Sequence, residues 1–195
     1  MKQRGFTIIE VVIAVTIAGF LLAAVMPSVG AWMRNTRIRT AAESINNGLQ
    51  HARNEAVRRN QPVSFFLVSD VDAVSMSDSC ALSATSSGWV VGTASPAGKC
   101  ASERDSFVAL RPPGDTAGGL SVSSKDSAGG DATTVTFNGY GQISGASPIS
   151  CIKLSNPSDT STRALNIAVN AGGQVRMCDP AVGSTDPRAC LAGCN

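Results

Sequence analysis

Apolar residues form a nearly continuous run from Phe6 to Met26 at the start of the chain. In a helix that rises about 1.5 Å per residue, the run is about 30 Å long, which matches the hydrocarbon core of a bilayer. The pattern predicts a transmembrane helix over residues 6–29. Pro27 cannot donate a backbone hydrogen bond, so a kink or local melting is expected there. The clearly polar side chains of the run are Thr7, Glu10 and Thr16.

Residues 1–5 form a short leader that carries two basic side chains, Lys2 and Arg4. Positive charge ahead of an apolar span keeps the N-terminus on the cytoplasmic side of the membrane. We therefore expect a single-pass protein of the bacterial inner membrane whose C-terminal domain lies in the periplasm.

An amphipathic pattern follows over residues 30–60. Its apolar residues recur every three or four positions, which places them on one face of a helix. The sequence Asn60-Gln61-Pro62 predicts the end of the helix, because the residue before a proline disfavours helical conformation. The apolar stripe consists of Ile38, Ala42, Ile45, Leu49, Ala52 and Ala56.

Arginines are frequent between the stripe positions of this segment. They favour a solvated helix face opposite the core, and a patch for nucleic acid or lipid headgroups is the alternative interpretation. Glu55 and Arg59 have the i,i+4 spacing of a helical ion pair. His51 is expected to be a surface residue rather than a ligand or a base.

Beyond residue 61 the helical period gives way to short β-type runs separated by loops rich in Gly, Ser and Asp. The segments 138–141 and 170–173 are predicted turns, because Asn and Gly accept positive φ angles. The fold class is α+β, with a long N-terminal helix packed on an antiparallel β domain over 61–195. The predicted strands are Val63–Val68, Trp89–Gly92, Phe107–Leu110, Leu120–Ser123, Thr133–Phe137, Ile149–Leu154, Ala164–Val169 and Gln174–Cys178.

Composition and charge limit the function. The formal net charge is +2, and loss of Lys2 and Arg4 from the 16 basic residues leaves 14, which balances the 14 acidic residues. A neutral domain is a poor match for nucleic acid, whose binding depends largely on phosphate neutralisation. With one histidine and no phosphate-binding glycine loop, we expect no catalytic residues, no cofactor and no enzyme activity.

Three carboxylates, Asp70, Asp72 and Asp78, lie close together in one predicted loop. Carboxylate oxygens are ligands for hard cations such as Ca²⁺. Loop acids are more often simply solvated, so we predict no metal site.

Six cysteines lie in the C-terminal two-thirds of the chain, and no two of them have the Cys-x-x-Cys spacing of a zinc site. An even number of cysteines behind an export signal predicts disulfides formed in an oxidising compartment. The preferred pairing is Cys80–Cys100, Cys151–Cys178 and Cys190–Cys194, and the main alternative includes Cys178–Cys190. The segment after Cys178 is expected to be an irregular tail held by these bonds.

Glu10 is the unusual residue of the apolar run. An ionised carboxylate near the middle of a membrane costs roughly 2.5–3.5 kcal/mol, so a partner for it is expected. The segment Arg4-Gly5-Phe6-Thr7-Ile8-Ile9-Glu10 resembles the class III signal of type IV pilins and type II secretion pseudopilins.

The rest of the chain resembles the GspH/FimT/FimU group of minor pilins and pseudopilins. The resembling segments follow one another in order and extend over most of the chain. They are Asn54–Asn60, Gly88–Val91, Val135–Gly141 and Gly172–Cys178.

The resemblance implies that a prepilin peptidase cuts between Gly5 and Phe6 and that the new amine of Phe6 is methylated. Glycine at the cut leaves room for the backbone to lie in a protease cleft. The carboxylate of Glu10 would then meet the positively charged N-terminal amine of a neighbouring subunit, which would offset its burial cost. The implied partners are other minor and major pilins or pseudopilins, the prepilin peptidase and the inner-membrane assembly platform.

Three functions follow from the resemblance. The first is a minor pilin in the priming or tip complex that initiates a type IV pilus, and the second is a minor pseudopilin at the tip of the type II secretion piston. The third is a FimT-like DNA receptor for natural transformation. Some relatives of that kind carry a Gly-Arg-x-Arg pattern, whose first arginine is missing from Gly173-Gln174-Val175-Arg176. Arg176 and Arg188 are the candidate DNA contacts.

Overall fold

One long helix, α1, spans Ile8–Arg59 and carries the rest of the fold on its C-terminal half. The computed structural model describes residues 5–70, 75–114, 119–159, 161–191 and 193–194, without the side chains of 23–28. The helix continues through Pro27, so the local melting predicted there is wrong. It ends as predicted, because Asn60 adopts the left-handed conformation and donates its N–H to the carbonyl oxygens of Ala56 and Val57.

The predicted apolar stripe of α1 forms the helical side of the core. All six stripe residues are buried, with no more than 2% of any of them exposed. They pack in one cluster with side chains from two β-sheets, among them Phe65, Phe137 and Ile167. Small residues at three of the six positions let the helix approach the sheets closely.

The first sheet contains six strands in the order β4-β3-β1-β6-β7, with β2 paired to the end of β1. All its pairings are antiparallel, as predicted. The short strands β2 and β7 were not predicted, because two residues give no recognisable alternation. The strands are β1 Val63–Ser69, β2 Ala81–Leu82, β3 Gly88–Gly92, β4 Ala109–Arg111, β6 Thr134–Phe137 and β7 Ile143–Ser144.

The second sheet contains four antiparallel strands in the order β10-β9-β8-β5. Its residues Ile152, Leu154 and Val169 face the core that it shares with α1. All four strands were predicted, with bounds that differ by one or two residues. They are β5 Ser121–Lys125, β8 Cys151–Ser155, β9 Leu165–Val169 and β10 Val175–Cys178.

Each sheet also has an outer face that an irregular segment covers. In β1, Phe65 points to the main core, whereas Phe66 belongs to a second cluster with Met76, Cys80 and Cys100 from the segment that follows. On the second sheet, Cys151 and Ala168 lie under Cys194 of the C-terminal tail. Because both faces of the central strands are buried, these strands are mostly apolar and show little alternation.

Three disulfides fix these covering segments, and one was predicted in its preferred form. Cys80–Cys100 is confirmed, and Cys178–Cys190 is the predicted alternative. The predicted pairs Cys151–Cys178 and Cys190–Cys194 are wrong, since Cys151 is bonded to Cys194. Strand β9 lies between β8 and β10, so Cys151 and Cys178 are separated by two strand spacings, about 10 Å, and disulfides need Cα atoms within about 7 Å.

The β domain has two distinct ends along α1. At the end nearest the start of the helix, which we call the proximal end, Arg34 forms an ion pair with Asp159 at 2.6 Å, and Asn35 Oδ1 accepts the Arg163 N–H at 2.8 Å. At the other, distal end, Arg53 Nε donates to the carbonyl oxygen of Gly141 at 3.0 Å. The first 26 helical residues or so extend beyond the proximal end.

Candidate assembly interface

The helix begins at the residues that the sequence assigns to assembly. Thr7 is the N-cap, and its Oγ1 accepts the backbone N–H of Glu10 at 3.3 Å. Gly5 and Phe6 precede the helix in exposed, non-helical backbone, and a Cβ added to Gly5 would meet nothing within 4 Å. The predicted cleavage point between them is therefore open to approach on the described side, whereas Lys2 and Arg4 lie outside the described residues.

Sequence reasoning missed that Thr7-Ile8-Ile9-Glu10 has the spacing of a capping box. In that motif the glutamate at the third helical position bonds back to the N-cap N–H. The structure forms the Thr7 half of the motif. Within the described part of the chain, the Glu10 carboxylate makes no hydrogen bond or ion pair, so it is available to another molecule.

The first half of α1 exposes its large apolar side chains. Ile8 is 86% exposed, against 0% for Ile45 on the same helix, and Phe6 just before the helix is 83% exposed. The side chains of 23–28, where the predicted span ends, lie outside the described residues. No helix within the described residues is long and apolar enough to cross a membrane. The exposed apolar residues are Phe6, Ile8, Ile9, Val11, Val12, Ile13, Val15, Ile17, Phe20, Leu21, Leu22, Val29, Trp32 and Met33.

Two arginines near the C-terminus of α1 form ion pairs within the domain. Near the C-terminus of the helix, buried Glu55 pairs with Arg58 at 2.6 Å and also with Arg59, as predicted. The hydrogen bond from Arg58 lowers the pKa of Glu55 to about 2, against the opposing effect of burial. These arginines are therefore bound within the domain, while His51 is exposed as expected.

The two predicted turns meet at the distal end of the domain. Gly173 has a φ of +77°, and a Cβ there would lie 1.9 Å from the carbonyl oxygen of Gly141. The same oxygen accepts the hydrogen bond from Arg53. The close approach explains why glycine occupies position 173, and it ties both turns to α1.

The two candidate DNA contacts are engaged inside the C-terminal region. Arg176 donates to the carbonyl oxygens of Pro187 and Ala189, and thereby holds the tail beside β10. Arg188 pairs with Asp186 at 2.8 Å, and this hydrogen bond lowers the pKa of Asp186 to about 2. Both arginines have structural contacts, and DNA binding by them stays a prediction.

The loop acids likewise have protein partners. Asp70 accepts hydrogen bonds from the backbone N–H and the hydroxyl of Ser77, and Asp78 accepts the N–H groups of Ala101 and Ser102. The backbone hydrogen bond from Ser102 lowers the pKa of Asp78. Asp72 lies outside the described residues. Among the described residues no cluster of three or more candidate ligands is placed to hold a metal ion.

Comparison with known families gives two matches. Residues 41–173, about two thirds of the chain, match the family described as type II transport protein GspH. Residues 1–26 match the prokaryotic N-terminal methylation motif. No curated protein sequence matches the chain significantly.

The chain is similar to two solved structures, both of the type IV minor pilin FimU from Pseudomonas aeruginosa strain PAO1. The crystal form in space group P21 has a TM-score of 0.51 and 17% identity, and the alignment covers 82% of this chain and 99% of that chain. For the form in space group P65 the values are 0.49, 18%, 78% and 99%. The predicted α+β architecture is therefore confirmed as the pilin fold.

The two family matches account for different parts of the molecule. The methylation motif covers the exposed start of α1 and implies a membrane-anchored precursor that later joins a filament. The GspH match covers most of the β domain and most of the buried half of α1, and it implies association with other pilins or pseudopilins and with their assembly machinery. The chain belongs to the GspH/FimT/FimU family of type IV pilin-like proteins, which are structural subunits and not enzymes.

Proposed function

We propose that this chain is a minor pilin of a type IV pilus, a structural subunit of the priming or tip complex that initiates assembly. The observation that carries the proposal is the exposed apolar half of α1 together with the Glu10 carboxylate in its first turn, which has no partner among the described residues. Such a surface has no partner in the described part of its own domain, so it is stable in a bilayer or against equivalent helices of other subunits.

The first step is processing at the membrane. A prepilin peptidase cuts the bond between Gly5 and Phe6, and the new amine of Phe6 is methylated. The uncut precursor and the mature chain are held in the inner membrane as single-pass proteins, with the β domain in the periplasm. The exposed backbone at Gly5 supports this step because it leaves the bond accessible.

The second step is entry into the filament, where the helices pack together. A buried carboxylate is strongly destabilising unless a positive group compensates for it. The amine of Phe6 in a neighbouring subunit is such a group, and its position relative to Glu10 sets the axial register between subunits. Covering the apolar half of α1 then contributes hydrophobic stabilisation of roughly 25 cal/mol per Å² of buried area.

Substitutions at the start of α1 test this role. Glu10→Leu and Glu10→Gln are expected to insert into the membrane normally but to co-purify with filaments several-fold less than the unmodified chain. Thr7→Ala is the matched control, since it removes the cap, at a cost of about 1 kcal/mol, but keeps the carboxylate. Normal incorporation of Glu10→Gln beside a defect in Glu10→Leu would assign Glu10 to helix capping, because glutamine also fits a capping box.

A minor pseudopilin of type II secretion is the alternative. It is favoured by the description of the matching family, type II transport protein GspH. The match to this family covers about two thirds of the chain. Deletion in the native host separates the two. Loss of surface pili with normal exoprotein release supports the minor pilin, and the opposite result supports the pseudopilin.

A further inference from the structure

Trp32 is an exposed large apolar side chain near the end of the exposed half of α1. It is 68% exposed, and its neighbours Val29 and Met33 are about half exposed. The buried stripe begins only at Ile38, so Trp32 lies below the proximal end of the β domain. Tryptophan combines a large apolar ring with one N–H donor, and for that reason it is enriched at the boundary between acyl chains and headgroups.

The length of α1 fits this boundary. Trp32 lies 24 residues after Ile8, about 36 Å along the helix axis, or about 34 Å across the membrane at a typical tilt of about 20°. The hydrocarbon core is about 30 Å thick and the whole bilayer about 40–45 Å. With Ile8 at the cytoplasmic edge of the hydrocarbon, Trp32 falls in the opposite headgroup layer.

Two arginines follow just above the outer headgroups, since Arg37 lies about 7.5 Å beyond Trp32 along the helix axis. Arg37 on α1 and Arg111 at the end of β4 are exposed and form no ion pair within the described part of the chain. They line the same cleft of about 240 Å³, together with Thr40 and Pro113. Helical side chains tilt towards the N-terminus, so Arg37 leans back in the direction of Trp32.

The cleft on the other side of α1 has a different electrostatic character. It measures about 480 Å³ and contains three arginines, each of which is paired with an acid. The pairs are Arg39–Glu43, Arg163–Asp179 and Arg188–Asp186. Among the described residues, positive charge without an acidic partner is therefore found in the cleft of Arg37 and Arg111.

We infer that the proximal end of the β domain rests on the bilayer before assembly. Trp32 lies in the headgroup layer, and Arg37 and Arg111 bind the phosphate groups of anionic phospholipids. This inference rests on the membrane-anchored precursor of the proposed function, and it adds a lipid-binding surface outside the apolar helix. The contact fixes the height and tilt of the domain above the membrane.

Fluorescence quenching in liposomes tests the depth of Trp32. The full chain is reconstituted with lipids that carry a nitroxide either at the headgroup or at mid-chain, and the signal of Trp32→Phe is subtracted to remove buried Trp89. Stronger quenching by the headgroup nitroxide is expected. Stronger quenching by the mid-chain nitroxide, or protection from both while the chain floats with the liposomes, overturns the inference. A chain that does not float overturns the membrane anchorage itself.

Photocrosslinking tests the arginines. At a low fraction of phosphatidylglycerol with a photoactivatable headgroup, crosslinks are expected at residues 29–41 and 109–113 rather than at the distal end. Arg37→Gln and Arg111→Gln should each lower the yield about fivefold, the effect of one cation at an anionic surface. Arg104→Gln is the matched control, because Arg104 leads to Phe107, which lies beside Gly92 at the distal end. Equal yields for all three variants overturn the inference.

Discussion

The two halves of α1 both carry large apolar side chains, but only the second half buries them in the chain's own domain. Residues 38–56 bury an apolar stripe of Ala, Ile and Leu within the chain's own domain, whereas residues 8–22 expose every large apolar side chain they carry. One backbone helix joins them without interruption. The difference shows that helix formation and burial are separate: the first half depends for its burial on lipid or on other subunits, and the second depends on two sheets of the same chain.

The largest expected effect comes from removing the disulfides that hold together the domain that buries the second half of α1. Removing the Cys151–Cys194 bond by a double change to serine is expected to lower the free energy of unfolding by about 4 kcal/mol, the loop-entropy value for its separation of 43 residues. Removing Cys178–Cys190, with a separation of 12, should cost about 3 kcal/mol. Denaturant titration of the full chain in detergent measures both. A larger loss for the shorter loop would contradict the entropic argument.

A pair of leucine substitutions compares the two halves directly. Leu49→Ala removes a fully buried side chain from the stripe and should destabilise the domain by about 3 kcal/mol. Leu21→Ala removes a side chain that is 64% exposed and should leave domain unfolding unchanged. Thermal unfolding in detergent, followed by near-ultraviolet circular dichroism, is the measurement. Equal destabilisation by the two changes would break the comparison.

Two glycines test how the distal end holds the buried half of α1. Gly173→Ala should cost about 2 kcal/mol or more, because its Cβ displaces the Gly141 oxygen that Arg53 binds. Gly98→Ala is the control, with a similar φ of +76° but open space around its Cβ, and should cost only about 1 kcal/mol of backbone strain. Chemical denaturation curves give both values. Similar losses would show that the contact with Gly141 relaxes freely.

The smallest effect is expected in acid. The pKa of Glu55 lies at about 2 in the folded chain and near 4.5 without its partners, so its contribution is complete above pH 4.5 and is lost as the pH falls towards 2. Glu55→Gln should therefore flatten, though not abolish, the loss of stability over this range, because Asp186 titrates in the same direction. Unfolding midpoints measured from pH 6 to about pH 2 would show this flattening. An unchanged slope of stability against pH would contradict the assignment of the low pKa to Glu55.

Most features of the fold that depend on residues close together in sequence were predicted. Several features that depend on residues far apart in sequence were not. The stripe from Ile38 to Ala56 and the end of α1 at Asn60 depend on neighbours within a turn or two, and the sequence pattern identified them. The pairing of Cys151 depends on strand order, which short-range patterns do not contain. Strands β2 and β7 form because they pair with the free edges of the longer strands β1 and β6. The two residues of each show no pattern typical of a strand.

The candidate site shows the same division. The residues Gly5, Phe6 and Glu10 were identified from a local motif, but the capping-box geometry of Thr7 and Glu10 was overlooked, although its spacing was visible. The hydrogen bonds of Arg176 to the tail carbonyls of Pro187 and Ala189 join residues 11 and 13 positions apart through an irregular loop. No periodic pattern predicts such contacts, so sequence reasoning did not foresee that Arg176 holds the tail, and DNA binding by Arg176 and Arg188 stays a prediction.

In the periplasmic topology proposed above, the position of β9 between Cys151 and Cys178 also restricts the order in which the disulfides form during export. The Cys178–Cys190 bond is nested inside the loop closed by Cys151 and Cys194, so the outer bond joins the first and last of these four cysteines to cross the membrane. A chain that oxidised its thiols as they emerged would join Cys151 to Cys178. Native maturation therefore requires that Cys151 stays reduced until the tail has crossed, or that a thiol–disulfide exchange corrects the first bond.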